Sequence, residues 1–197
     1  MPIVRNIKYS FSNLFILCCF LSLALGSRAN EPARVLDSKN TWYTGFSVGV
    51  QMSGIKSEDF VTRNYSPMLT IYAGKWFTPL LALQLGYRGN YFNTISHDRR
   101  RYYKYFSGEA VFNLNQLISP KSNEQKLNAL LHAGSGYFYN HDYDRPNICA
   151  HLGASASYRL THKLNASFNT SFIMGWDIYQ GNEDILPGTS FGLSYSF

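Results

Sequence analysis

The sequence predicts an all-β protein: an eight-stranded antiparallel up-and-down transmembrane β-barrel. Three observations predict it. The chain ends on residues 190–197, SFGLSYSF, where Phe191, Leu193, Tyr195 and Phe197 alternate with Ser190, Gly192, Ser194 and Ser196. Period-two alternation describes a strand with one apolar and one small polar face. A soluble sheet presents Lys, Glu and Thr to water, whereas a row of Ser and Gly suits strands curled around a narrow lumen with the apolar face on lipid. Secondly, seven earlier segments repeat the alternation. Thirdly, the connections between them alternate between short and long, as in membrane barrels with tight turns at one rim and larger loops at the other. No hydrophobic run beyond the amino terminus is long enough for a membrane helix. An open sheet edge cannot be solvated in hydrocarbon, so a membrane-crossing sheet must close.

The chain opens with a basic n-region, Arg5 and Lys8, followed by the apolar run LFILCCFLSLAL at 14–25 and then small residues. That run is too short to span a bilayer as a mature helix and reads as a signal peptide over 1–29, with cleavage after Gly26 or Ala29. Cys18 and Cys19 lie inside the run and lack the small residues that lipidation needs before them, so they leave with the signal. Removing 1–29 takes Arg5, Lys8 and Arg28 and no acid; 18 basic residues become 15 against 12 acids, and the net charge falls from +6 to +3. Such a modest balance argues against a nucleic-acid partner. The single remaining cysteine, Cys149, excludes an intramolecular disulfide framework. Residues 30–40 read as a short periplasmic leader, and 41–197 as one barrel domain.

The first strand, 42–52, turns Trp42, Thr44, Phe46, Val48 and Val50 outward and Tyr43, Gly45, Ser47, Gly49 and Gln51 inward. The second, about 67–77, has two similar faces, and its Lys75 must point inward or snorkel. The third, 81–91, sends Leu81, Leu83, Leu85, Tyr87 and Tyr91 out and Gln84, Gly86, Arg88 and Asn90 in. The fourth, 102–114, sets Phe106, Ala110, Phe112 and Leu114 against Ser107, Glu109 and Asn113. The fifth, 127–139, sets Leu127, Ala129, Leu131, Tyr137 and Tyr139 against Asn128, His132, Gly134, Gly136 and the flanking Asn140. The sixth, 148–160, alternates throughout, with Cys149, His151, Gly153, Ser155, Ser157 and Arg159 inward. The seventh, 164–176, sends Phe168, Phe172 and Trp176 out; the eighth is 188–197. Tight turns are expected at 78–80 and 161–163, and longer polar loops at 53–66, 92–101, 141–147 and 178–187. The connection 115–126 is long for the side assigned to the periplasm. The rival architecture, a soluble lipocalin-like cup, reverses the faces and keeps the bulky residues inside.

The Leu193–Tyr195–Phe197 ending and the Leu85-Gly86-Tyr87-Arg88 run after the Thr78-Pro79 turn resemble the small eight-stranded outer-membrane barrels of the OmpA/OmpX type. The resemblance covers 41–197. It implies the bacterial outer membrane as location, outer-membrane lipid and lipopolysaccharide as surroundings, and recognition by the barrel-assembly machinery through the strand ending in Phe197. Roles in that family range over anchors, adhesion surfaces, small channels and a few lipid-modifying enzymes, so function must come from the site.

A barrel of eight strands has a lumen just wide enough for its own side chains. Arg88, Glu109, His132, His151 and Arg159 are the ionisable inward candidates, and buried charge must be paired. Arg88 lies seven residues above its lower turn and Glu109 six above its own, which predicts comparable depth and an Arg88–Glu109 pair at the centre of a polar plug. No catalytic set is expected. Ser96, His97 and Asp98 are contiguous and cannot converge on one proton path, and His151 with Ser155 sits where lipid cannot reach. No metal or other cofactor is expected either: His141, Asp142 and Asp144 share a loop without further ligands. At the outer rim, Arg99, Arg100, Arg101 and Lys104 precede or interleave with Tyr102, Tyr103 and Tyr105. Arg forks bind phosphate and aromatic rings favour the membrane interface, so this cluster is the candidate lipopolysaccharide site. The expectation is a structural or surface-interaction protein without catalysis and with no readable extracellular partner. A low-conductance pore is the alternative, and a lipid A-modifying enzyme the third reading.

Overall fold

The computed structural model describes residues 40–53, 65–94, 99–118, 126–141, 144–176, 178 and 183–197, with backbone only at 92–94, 99, 145, 176, 183 and 184. The expected signal peptide, the leader up to residue 39, the Ser96-His97-Asp98 run and Asp142 lie outside them.

Eight strands follow in chain order: β1 (Trp42–Met52), β2 (Tyr65–Trp76), β3 (Leu81–Thr94), β4 (Arg99–Asn113), β5 (Leu127–Asn140), β6 (Arg145–Arg159), β7 (Leu164–Trp176) and β8 (Glu183–Ser196). Each pairs antiparallel with its neighbours, and β1 also pairs with β8 to close the barrel. Sequential antiparallel pairing is the simplest topology, and closure removes both edges.

The alternation resolves as the sequence predicts. Leu85 (73% exposed), Ile148 (78%) and Phe191 (69%) stand on the outside. Ser47, Gln84, Ser107, Ser155 and Ser190 are buried inside. A lipocalin-like cup would show the reverse. Lys75 takes the snorkelling option, its Nζ 5.1 Å from the Trp42 ring centroid and 5.7 Å from that of Phe77. Asn90 departs from expectation: it is exposed rather than inward, and its φ of 128° interrupts the alternation of β3.

Both tight turns use one device. Thr78 Oγ1 accepts from the N–H groups of Leu80 (3.3 Å) and Leu81 (2.9 Å). Thr161 Oγ1 does the same for Lys163 (3.3 Å) and Leu164 (3.0 Å). A threonine hydroxyl thereby satisfies the backbone where the ladder stops. The third connection at this rim opens with a short helix, α1 (Leu114–Ile118), where the sequence had extended the strand through Leu114. Asn115 makes the break possible. Its Nδ2 donates to the Leu127 carbonyl (2.9 Å) and its Oδ1 accepts from Ala129 N–H (2.9 Å), completing the β5 ladder with a side chain.

At the opposite, loop rim the strands outrun their alternation. β4 begins at Arg99 and β6 at Arg145, and β8 begins at Glu183, inside a segment expected to be loop. Beyond the apolar band the outer face no longer needs bulky residues, so the pattern fades while hairpin hydrogen bonding continues.

Candidate functional site

The inner surface differs between its two halves. Toward the loop rim it is apolar: Tyr103, Tyr105, Phe138, Cys149, Ile173, Ile178 and Leu186 form one buried cluster. Tyr103 and Phe138 stack at 4.9 Å with planes 7° apart. The Tyr103 hydroxyl donates to Gln51 Oε1 (2.6 Å), and Gln51 Nε2 donates to the Tyr91 carbonyl (3.0 Å), tying β4 to β1 and β3 through the lumen. Asn140 Nδ2 holds the Ile178 carbonyl at 2.8 Å, drawing that residue into the cluster. Tyr103 and Tyr105 were expected at the membrane interface. They lie inside because in RYYKYF both faces are aromatic, and alternation then carries no direction.

Toward the turn rim the lumen carries the charged and hydroxyl side chains beside a second apolar cluster, Tyr43, Ala82 and Val111 packed against Tyr72, Trp76 and Leu130, and holds a cavity of about 190 Å³. It runs from Arg88, His151 and Ser171 at mid-barrel to Pro79, His162 and Ser196 at the rim. Arg88, Glu109, His132, His151 and Arg159, the five ionisable residues assigned to the lumen, all line it.

Glu109 is the hub. Its Oε1 lies 2.7 Å from His151 Nδ1 and accepts from Ser107 Oγ at 2.5 Å. Its Oε2 lies 3.5 Å from His132 Nδ1 and accepts from Gln84 Nε2 at 3.3 Å. Tyr43 donates to Gln84 Oε1 (3.1 Å), extending the network to β1. Two hydrogen bonds, from Ser107 and Gln84, and two imidazoles at ion-pair distance surround the one carboxylate, although the His151 ring is not aligned to hydrogen-bond to it.

Arg88 is not the partner of Glu109. The register sets Gln84 opposite Glu109 and Tyr105 opposite Arg88. The expected match in depth counted Glu109 from Asn115, but the ladder pairs Phe112 with Leu81, because the chain has already turned toward α1. The two residues are thus offset by four positions, roughly 13 Å along the strand. Arg88 instead crosses the lumen, and its Nη2 donates to Ser171 Oγ on β7.

One alignment escaped sequence reasoning. His132 Nε2 is 2.8 Å from Ser155 Oγ, so Ser155, His132 and Glu109 line up as hydroxyl, imidazole and carboxylate. The ladder pairs His132 with Gly153 and Ser155 with Leu130, so the contact is a diagonal one, set only by the β5–β6 register. Acyl transfer also needs donors aimed at a developing oxyanion. Ser155 sits mid-strand, paired with Leu130 on one side and Asn169 on the other, where ladder bonding engages the backbone donors.

The outer-rim cluster is split by the pleat. Arg100, Tyr102 and Lys104 are exposed on the outer face of β4, while alternation puts Arg101 with the buried Tyr103 and Tyr105. The Arg100 guanidinium lies 4.9 Å from the Tyr91 ring centroid, and Tyr91 packs edge-on against Tyr102 at 6.0 Å. Arg99 pairs with Thr94 at the end of the ladder. Tyr139 donates to Asp144, and the exposed His141 packs edge-on against the Tyr139 ring at 4.9 Å.

Among solved structures, the barrel is similar to the N-terminal domain of OprF from Pseudomonas aeruginosa, with a TM-score of 0.52 and 14% identity over 81% of this chain and 98% of that one. The outer membrane protein OprG from the same organism gives a TM-score of 0.55 and 11% identity over 84% and 99%. Neisserial surface protein A gives 0.50 and 13% over 79% and 97%. The fold is that of the small eight-stranded outer-membrane barrels. No protein-family model matches the sequence, and no curated protein matches it.

Proposed function

We propose that the chain is an integral barrel of the bacterial outer membrane with a structural or surface-interaction role and no catalysis of its own. One observation carries the membrane reading: a closed barrel whose exposed side is a belt of Leu, Ile, Val and Phe, while its serines and charged groups such as Arg88 and Glu109 are buried inside. Soluble monomers rarely expose apolar patches beyond a few hundred Å². A bilayer covers such a belt, with the tight turns in the periplasm and the longer connections outside. The apolar cluster inside the loop half favours this reading over a pore, since it fills the lumen where a conducting path would have to pass.

The outer rim gives the surface role a chemical direction. Arg100 and Lys104 share the outer face of β4 with Tyr102, and Tyr91 backs the guanidinium. Two cations beside interfacial aromatics suit the phosphates of lipopolysaccharide. The test is lipopolysaccharide co-purified per folded barrel. Arg100→Gln with Lys104→Gln should lower it at low salt, the difference should shrink as exposed charges are screened over ~8 Å at physiological ionic strength, and Arg101→Gln should leave it unchanged. Equal lipopolysaccharide in all forms would remove the rim from the reading. Recovery of the protein without detergent in the aqueous fraction would remove the membrane itself.

A further inference from the structure

The turn-rim half of the lumen is unevenly compensated. Glu109 is the only carboxylate lining the cavity among the described residues, and it is already surrounded by His132, His151, Gln84 and Ser107. Arg88 is 4% exposed and gives one amino group, Nη2, to the neutral hydroxyl of Ser171. Its other amino group, Nη1, has no partner. Neither does Nε2 of His151, a side chain 7% exposed that lines the same cavity. A guanidinium buried this far is costly without a counter-charge, because attraction to hydroxyl dipoles replaces only part of its hydration.

Arg88 lines a cavity from which Nη1 itself is sealed, so the guanidinium must turn to present that group. At a water's share of liquid volume, about 30 Å³, the cavity's 190 Å³ holds roughly six water-sized occupants. It reaches the turn rim past Arg159 and His162, so the path inward starts at a second guanidinium. A basic mouth with low-dielectric walls concentrates anions. The Ser171 hydroxyl accepts from Arg88 and keeps its own proton to donate toward the lumen.

We propose that the turn-rim half of the lumen is a binding site for a small oxyanion, the carboxylate or phosphate group of a solute, seated on the Ser171 hydroxyl and on Arg88 Nη1 once the guanidinium turns toward the cavity, at the closed end beneath the apolar cluster. The planar fork of an arginine matches both groups, which share the geometry of two oxygens on one centre. The apolar half above the site stops the ligand from passing through, so the barrel acts as a blind pocket open at the turn rim. This goes beyond the surface role, since it uses the opposite end of the molecule and none of the rim cations.

The experiment is a titration of the full chain folded in detergent micelles, using sodium acetate in one arm and sodium phosphate in the other, with chloride exchanged to hold ionic strength constant. The readout is the side-chain nitrogen resonances of Arg88, with those of the half-buried Lys75, which lies outside the cavity, as the control for non-specific screening. A saturable shift at Arg88 in either arm, absent at Lys75, is expected, and the responding arm identifies the group. Arg88→Met should weaken binding by about tenfold or more, the worth of a charge-assisted hydrogen bond. Ser157→Leu, which narrows the cavity between its mouth and Arg88, should weaken it with the guanidinium in place, and so covers the case in which Arg88→Met does not fold. No saturation in either arm, or saturation unchanged in Ser157→Leu, would overturn the site.

Discussion

Glu109 gathers two hydrogen bonds and two imidazoles in the lumen, and its environment predicts how the barrel responds to its loss. Glu109→Ala strips His132, His151, Gln84 and Ser107 of a shared acceptor, and breaking a buried charged network of this kind costs about 3–5 kcal/mol. Reversible urea unfolding in micelles measures it. A double-mutant cycle then assigns the partners: Glu109 should couple strongly to His151, 2.7 Å away, and weakly to Arg88, four positions off in register. Equal coupling to both would mean that Arg88 shares the carboxylate after all. Sequence alternation put Arg88, Glu109, His132, His151 and Arg159 on the inner face. It could not say which of them meet, because contact across a lumen depends on the register of each hairpin and on where the count begins.

Strands and turns carry the next level of control. Where β4 and β5 approach, a side chain on Gly134 would collide with the Gly108 carbonyl and the Glu109 backbone, atoms that cannot step aside. Gly108 points the other way, and a methyl there would first meet Leu85 Cδ2 at 3.9 Å. Gly134→Ala is therefore expected to destabilise the barrel by about 1–3 kcal/mol, the usual cost of overpacking, while Gly108→Ala is tolerated. The same urea titration checks both, and comparable losses would show that the effect is one of strand propensity rather than of crowding. Two strands, 42–52 and 164–176, are reproduced to the residue, whereas the sixth, which alternates throughout, begins three residues before its expected start, at Arg145. The strands it misjudged fail at the rims, where α1 interrupts an apparent continuation at Leu114 and where β8 begins at Glu183 without an alternating signal.

At the scale of the whole molecule the decisive event is closure. β8 pairs with β1 from Tyr43↔Ser196 to Gln51↔Gly188, and the terminal residue adds a bond from Phe197 N–H to the Trp42 carbonyl at 3.0 Å. The Phe197 ring itself stays 68% exposed and touches the Tyr195 ring edge-on at 5.3 Å. One rim hydrogen bond is worth only about 1 kcal/mol, so deleting Phe197 should leave refolding into detergent nearly intact. If the terminal ring is a recognition signal for the assembly machinery, as we propose, the same deletion should sharply reduce the amount of barrel assembled in cells. Parallel measurement of refolding yield and of heat-modifiable protein in membranes separates the two, and equal losses in both would reduce Phe197 to a structural residue.

The alternation of Ser and Gly with bulky apolar residues was by itself enough to determine the fold class, the number and order of the strands and which way most side chains face, because side-chain direction in a strand has a period of two whatever the strand pairs with. Tertiary structure alone decided the division of the lumen. Near the loop rim, segments such as Tyr102–Tyr103 and Phe172–Ile173 are apolar on both faces, and a strand without contrast has no readable inside. It also decided that Arg88 reaches across to Ser171 while Glu109 gathers two imidazoles. Those partnerships join strands brought together by hairpin register and barrel closure, and neither is written in the local period of any one strand.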